Sequence, residues 1–74
     1  PLRERKEDIL PLAELFLSKF TKENHKSKIT LTKEANQRLK SYTWPGNVRE
    51  LANVIERAVV LNSTGTITAN EIYI

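Results

Sequence analysis

A sharp break between two helical patterns, at Trp44-Pro45-Gly46, constrains this chain more than any other feature. Proline lacks a backbone N–H and disfavours helix in the residue before it, so the first pattern must end there. A second pattern starts at once, with Asn47 at the position of an N-cap and Glu50 three residues later, as in a capping box. The apolar residues that follow recur at helical spacing: Val48, Leu51, Ala52, Ile55, Ala58 and Val59. The sequence therefore predicts two helices joined by a rigid turn.

Arg49 falls in the first turn of the later helix, where local electrostatics disfavour a cation. A helix N-terminus carries partial positive charge, so a cation there costs roughly a few tenths of a kcal/mol unless something offsets it. Two interpretations remain open. The first is a surface ion pair with Glu50 or Glu56. The second is a bound anion, held by Arg49 together with the free N–H groups of the helix start.

The 74 residues are enough for one domain, which spans residues 1–74. A domain this small buries about 60% of its unfolded surface, so its core must be modest. The chain has no Cys, which excludes disulfides and thiolate metal sites, and His25 is the only His, so no metal site is expected. No apolar run approaches the ~20 residues that cross a bilayer. We expect no membrane contact and a cytoplasmic location.

Charge and glycine content limit the chemistry of the chain. The net charge of +3 permits an acidic partner such as nucleic acid or nucleotide. However, the 12 basic and 9 acidic residues are interspersed over most of the chain, which is typical of a solvated surface. The only glycines are Gly46 and Gly65, so no phosphate-binding P-loop can form. We expect the chain alone to catalyse nothing.

Two helices are predicted before the break. The first follows Asp8, a credible N-cap, and has Pro11 in its first turn, where a missing N–H costs nothing. Its apolar stripe runs over about four turns: Ile9, Leu12, Ala13, Phe16, Leu17 and Phe20. A polar loop and a short extended piece at residues 29–31 come next. Thr32 then caps a second, shorter helix over residues 33–41.

The C-terminal segment carries signals for one more helical turn. Gly65 is expected to take a positive φ in the turn after the third helix. Thr68 and Glu71 have the spacing of a capping box, and Ile67 and Ile72 occupy the two positions of a hydrophobic staple. The expected architecture is all-α: a small three-helix bundle plus a short C-terminal helical turn.

Two segments of the chain resemble one protein family closely. They are PLRERKEDI at residues 1–9 and WPGNVREL at residues 44–51, the latter continued by NVIERA at residues 53–58. Both resemble the C-terminal helical lid subdomain of the AAA+ ATPase module in sigma-54-dependent, NtrC-type transcription activators. The resemblance covers nearly all 74 residues, in the right order and at the right separation. It implies that the chain is excised from a longer protein.

The resemblance implies roles for four residues. In this family the arginine of GNVREL, here Arg49, is the sensor II residue, which reaches toward the phosphates of ATP and serves its hydrolysis. Val48 would lie against the base or sugar. Arg5 would lie near the nucleotide, although an arginine there also makes routine salt bridges. Ile9 would close the apolar side of the adenine pocket, unless it is plain core. Mg²⁺ would be bound by the larger α/β subdomain, which this chain lacks.

The resemblance also implies partners. They are the α/β subdomain of the same AAA+ module, neighbouring subunits of a ring, and, through the parent protein, the sigma-54 RNA polymerase that ATP hydrolysis remodels. Leu10 and Leu15 lie off the apolar stripe and are candidates for contacts with neighbouring subunits. The isolated fragment is expected to be a monomer, because the ring contacts of the family depend largely on the missing subdomain.

The alternative interpretation is a small basic helical module that binds DNA or drives oligomerisation. A helix-turn-helix uses a turn of ~3–4 residues, whereas the connection over residues 42–46 is longer and contains a Pro. The face of the third helix that is expected to be exposed carries Glu50 and Glu56, which would repel phosphates. No direct DNA contact by this fragment is therefore expected.

Overall fold

The computed structural model describes residues 4–74. They form three helices, α1 (Ile9–Glu23), α2 (Lys33–Ser41) and α3 (Asn47–Leu61), with 3-10 turns at Lys6–Asp8 and Ala69–Glu71. The predicted all-α architecture, a three-helix bundle with a short C-terminal helical turn, is confirmed. Residues 1–3, the beginning of the first family motif, lie outside the described residues.

The core is built around α1, which packs against both α2 and α3. The apolar residues of α1 that are buried follow the predicted stripe: Ile9, Ala13, Leu17 and Phe20. Those of α3 lie on one face of that helix: Leu51, Val54, Ile55, Ala58 and Val59. Removing such surface from water stabilises a fold by about 25 cal/mol per Å². This term holds the bundle together, because no disulfide is present.

The two leucines off the α1 stripe differ in exposure. Leu10 is partly buried against the core cluster, whereas the Leu15 side chain is 65% exposed. Of the two candidates for a second contact surface, Leu15 is therefore the one that offers an open apolar side chain.

The predicted caps of α1 and α2 are confirmed in position. Thr32 caps α2 fully, since its Oγ1 accepts a 3.0 Å hydrogen bond from the N–H of Ala35. Asp8 directly precedes α1, but its carboxylate makes no capping hydrogen bond. It pairs instead with Nε of Arg5 at 3.2 Å.

The prediction that Asn47 caps α3 is wrong. The cap residue is Gly46, and Asn47 is the first helical residue, with a left-handed φ of 56°. The Glu50 carboxylate reaches back one residue further than a capping box predicts, to the N–H of Gly46 at 2.9 Å. The tight turn explains the shift, because it requires left-handed backbone at Asn47, a residue type that tolerates it.

A two-residue parallel ladder joins distant parts of the chain. Strand β1 (Thr30–Leu31) pairs with β2 (Thr66–Ile67), in the register Thr30 with Thr66 and Leu31 with Ile67. The sequence predicted an extended piece at residues 29–31 but no partner for it. The ladder ties the loop before α2 to the segment after α3.

A lysine from the loop after α1 closes the C-terminal end of α3. The Nζ of Lys26 donates to the carbonyl oxygens of Val59 at 2.6 Å, Val60 at 3.1 Å and Asn62 at 2.8 Å. The last carbonyls of a helix lack intrahelical hydrogen-bond donors and carry partial negative charge. An ammonium group supplies the missing donors and offsets that charge. Local patterns gave no sign of this contact, because Lys26 and Val59 are 33 residues apart in the chain.

The loop after α3 is organised by Asn62, whose side chain is buried. Its Oδ1 accepts from the N–H of Thr64 at 3.2 Å and of Gly65 at 2.8 Å, and its Nδ2 donates to the Thr66 carbonyl at 2.9 Å. Gly65 has the predicted positive φ, 88°. Within residues 4–74, no helix combines the length and apolar character needed to cross a membrane.

Candidate functional site

The turn between α2 and α3 is anchored by Trp44. Its side chain is fully buried. The indole Nε1 donates a 2.8 Å hydrogen bond to the carbonyl oxygen of Leu39 in the last turn of α2. The Tyr42 ring packs edge-on against the indole, with ring centroids 4.9 Å apart and planes at 82°. The start of α3 is therefore fixed relative to the end of α2.

The backbone of this turn is strained. Trp44 and Asn47 both have left-handed φ angles, 53° and 56°. Each such non-glycine residue costs about 1 kcal/mol or more and persists only where surrounding contacts hold it. Gly46 lies between them, and a Cβ added to it would lie 2.8 Å from the Cβ of Glu50. A glycine is needed at this position because the helix approaches the turn too closely for any side chain.

Glu50 joins the two sides of the turn. Its Oε1 accepts from the backbone N–H of Gly46 at 2.9 Å, and its Oε2 accepts from the Tyr42 hydroxyl at 3.2 Å. Partial burial raises the pKa of the Tyr42 hydroxyl, and the hydrogen bond and negative charge of Glu50 raise it further. Sequence analysis placed Glu50 at a capping position but missed its bond to Tyr42, which depends on how α2 and α3 are arranged.

Arg49 lies in the first turn of α3 and is exposed to solvent. Among residues 4–74 its guanidinium has no hydrogen bond or ion pair, so the surface pairing with Glu50 or Glu56 is not formed. Glu50 is instead engaged by Gly46 and Tyr42. Val48, the preceding residue, is 43% exposed although it is apolar. The helix start thus presents a cation and an open apolar side chain together.

The other two candidate residues are already engaged within the fold. Arg5 forms ion pairs through Nε with Asp8 at 3.2 Å and Glu7 at 4.0 Å, and its side chain is 65% exposed. This is the routine salt bridge that sequence analysis left open. Ile9 is fully buried in the core, so its side chain presents no surface to a ligand. Of the two candidate arginines, Arg49 is therefore the one without an ion pair among residues 4–74.

Two surface grooves lie elsewhere on the fold. One, of about 370 Å³, lies between α1 and the segment over residues 26–29, and the other, of about 420 Å³, lies beside the loop after α3. Neither is lined by any of the four candidate residues. In the described part of the chain, no three potential metal-ligating side chains come together. Arg49 and Val48 are both exposed to solvent.

Comparison with known proteins decides the family. The sequence profile of the AAA+ ATPase lid domain matches residues 3–73. The chain belongs to this family. The match confirms the resemblance, drawn from the two motifs, to the helical lid of sigma-54-dependent activators. Residues 3–73 are therefore a lid domain of the AAA+ ATPase type.

Three curated relatives show the same similarity. The lid is 56% identical over 63 residues to the regulatory protein AtoC of Escherichia coli K12, covering 85% of the lid and 14% of AtoC. It is 51% identical over 67 residues to the nitrogen fixation protein AnfA of Azotobacter vinelandii, covering 90% of the lid and 13% of AnfA. It is 47% identical over 72 residues to the transcriptional regulatory protein ZraR of Klebsiella oxytoca, covering 97% of the lid and 16% of ZraR. The lid thus spans about one seventh of the length of these relatives.

Proposed function

We propose that the lid contributes Arg49, as the sensor II residue, to an ATP site completed by the α/β subdomain of the same AAA+ module. The observation that carries the proposal is the exposed guanidinium of Arg49 at the start of α3, which has no partner among residues 4–74. A cation at a helix N-terminus is unfavourable until an anion joins it. A phosphate group of ATP would supply that anion.

The chemistry of the site fits a nucleotide phosphate. The first N–H groups of a helix have no intrahelical partners and attract anions. A guanidinium can donate two parallel hydrogen bonds to phosphate oxygens, which fixes geometry as well as supplying charge. The Glu50 carboxylate accepts hydrogen bonds from Gly46 and Tyr42 and forms no ion pair with the Arg49 guanidinium. Val48, exposed beside Arg49, offers an apolar contact to the base or sugar.

Arg5 and Ile9 have supporting roles in this proposal. Arg5 would approach the nucleotide while remaining near Asp8, whose negative charge limits its net contribution. Ile9 would act from within the core, where it supports the first turn of α1. The ATP contacts made by the lid itself therefore depend chiefly on Arg49.

For the parent protein, we propose an ATPase of the bacterial cytoplasm that remodels sigma-54 RNA polymerase. Its subunits would assemble in a ring, and the α/β subdomain would supply the P-loop and the Mg²⁺ ligands. The family membership of the lid supports this role. The exposed Leu15 is the side chain of α1 that we propose for contact with a neighbouring subunit.

The test replaces Arg49 in the full-length parent. Arg49→Ala should leave the melting curve of the lid nearly unchanged, because no buried contact is removed, and should weaken ATP binding or hydrolysis at least tenfold. Arg49→Lys should restore only part of the activity, since an ammonium cannot form the planar two-pronged contact.

Arg57→Ala provides the matched control. Arg57 is an exposed arginine of the same helix, and its guanidinium lies 5.0 Å from the centre of the Tyr73 ring. Its replacement should leave the ATPase rate unchanged. A normal ATPase rate in the Arg49→Ala parent would contradict the sensor role, and unfolding of the lid by that substitution would show that Arg49 is structural.

A further inference from the structure

The strained turn before α3 must be held in place by specific contacts. Trp44 and Asn47 both have left-handed backbone, and Asn47 lies only two residues before Arg49. If the turn relaxed toward ordinary φ angles, the first turn of α3 would rotate and carry the arginine with it. The burial of Trp44 holds one side of the turn. The other side is held at Gly46, where the helix begins.

The contact at Gly46 is made by Glu50. One carboxylate oxygen accepts from the Gly46 N–H at 2.9 Å and the other from the Tyr42 hydroxyl at 3.2 Å. A single side chain thus connects the end of α2, the turn and the start of α3. The fit is close, since a Cβ on Gly46 would lie 2.8 Å from the Glu50 Cβ. The carboxylate also lies near the positive end of the α3 dipole, where a negative charge is favourable.

We infer that Glu50 is a positioning residue for Arg49: by joining Gly46 to Tyr42, it holds the first turn of α3 in the orientation that presents the guanidinium. Glu50 forms no ion pair with Arg49, so it acts through the backbone. The Arg49 side chain has no hydrogen bond or ion pair among residues 4–74 that could direct it. This inference rests on the proposed role of Arg49 and adds the residue that gives the sensor its direction.

The experiment uses the full-length parent and measures KM for ATP, kcat and the melting temperature. The variants are Arg49→Ala, Glu50→Ala, the double variant, Glu50→Gln and Tyr42→Phe. Glu50→Gln keeps an oxygen that can accept from the Gly46 N–H and an amide that can bond to the Tyr42 hydroxyl. Tyr42→Phe removes only one of the two bonds. Glu56→Ala is the matched control, because Glu56 is an exposed glutamate six residues further along the same helix.

Glu50→Ala should raise KM for ATP by about tenfold and lower kcat less, since a misdirected guanidinium binds phosphate poorly. Glu50→Gln should restore KM to within about threefold of the parent, and Tyr42→Phe should have an intermediate effect. Glu56→Ala should change neither constant. Adding Glu50→Ala to Arg49→Ala should produce no further loss, because a residue that acts only through Arg49 has no effect once Arg49 is gone.

Three results would overturn the inference. If the effects of Glu50→Ala and Arg49→Ala multiply in the double variant, Glu50 acts independently of Arg49. If Glu50→Ala and Glu50→Gln leave KM unchanged while Arg49→Ala raises it, the sensor role stands and the positioning role fails. If Glu50→Ala unfolds the lid and Tyr42→Phe and Glu50→Gln both retain the parental KM, Glu50 is purely structural. A normal rate in Arg49→Ala alone instead contradicts the proposed function itself.

Discussion

The indole N–H of Trp44 donates a 2.8 Å hydrogen bond to the backbone carbonyl of Leu39, five residues earlier in the chain. This bond satisfies a carbonyl at the end of α2 that has no intrahelical partner, and it also satisfies the polar atom of a fully buried tryptophan. One side chain therefore ends α2, fills the core and fixes the turn that precedes Arg49. The WPGNVREL motif begins with this residue.

Replacing Trp44 by alanine should unfold the lid. Loss of a fully buried tryptophan costs roughly 3–5 kcal/mol. The free energy of unfolding of a domain this small is of the same order. Trp44→Phe should be milder, because it keeps an aromatic ring against Tyr42 and loses the bond to Leu39. Thermal melts followed by circular dichroism would measure both. A nearly unchanged melting temperature for Trp44→Ala would contradict the anchoring role.

The isolated lid should fold alone as a monomer with a mostly helical circular dichroism spectrum. Its three helices share one core, and the β1–β2 ladder and Lys26 tie the loop after α1 to the segment at the end of α3. Sedimentation at several concentrations would measure the oligomeric state. A random-coil spectrum in plain buffer, or a stable hexamer, would each disprove one half of this prediction.

Lys26→Met should destabilise the lid by about 1–2 kcal/mol. The substitution keeps most of the aliphatic side chain but removes three charge-assisted hydrogen bonds to the end of α3, which is partly exposed to water. Lys28→Met is the matched control, since Lys28 is an exposed lysine two residues away. Urea unfolding would compare the two variants. Equal unfolding midpoints would show that the hydrogen bonds of Lys26 contribute nothing to stability.

Stability should fall in acid partly because of Glu71. The hydrogen bond from the Thr68 N–H lowers the pKa of this carboxyl below its ordinary value of 4.5, and bonds from the Thr68 hydroxyl and Asn62 lower it further, against a smaller opposing effect of burial. The folded state therefore binds the proton less tightly than the unfolded chain. The resulting stabilisation is present above about pH 4.5 and is lost as the pH falls through the lower pKa of the folded state.

The measurement compares the parent lid with Glu71→Gln at pH 7 and pH 3 by urea unfolding. The difference in stability between the two proteins should shrink on acidification, because protonation removes the charge that the variant already lacks. Glu56→Gln serves as the control, since Glu56 is exposed and lies outside the capping box. A constant difference between the parent and Glu71→Gln at both pH values would contradict the prediction.

Local sequence signals determined the helices and most of their ends. The α1 stripe from Ile9 to Phe20 and the cap at Thr32 depend on spacing and on side chains only three or four residues apart, which a linear reading detects. Arg49 was detectable for the same reason, since a cation at a helix start conflicts with its immediate neighbours. The position of the turn at Trp44 was predictable, because a proline at residue 45 cannot continue the helix that precedes it.

Only the tertiary structure decided the contacts between elements. The bond from Tyr42 to Glu50, the clamp of Lys26 on Val59 and the pairing of β1 with β2 join groups whose closeness depends on how the helices pack. The shift of the α3 cap to Gly46 has the same origin, because burying Trp44 forces the turn into left-handed backbone at Asn47. Propensity and periodicity act over a few residues, whereas packing selects among arrangements that are locally equivalent.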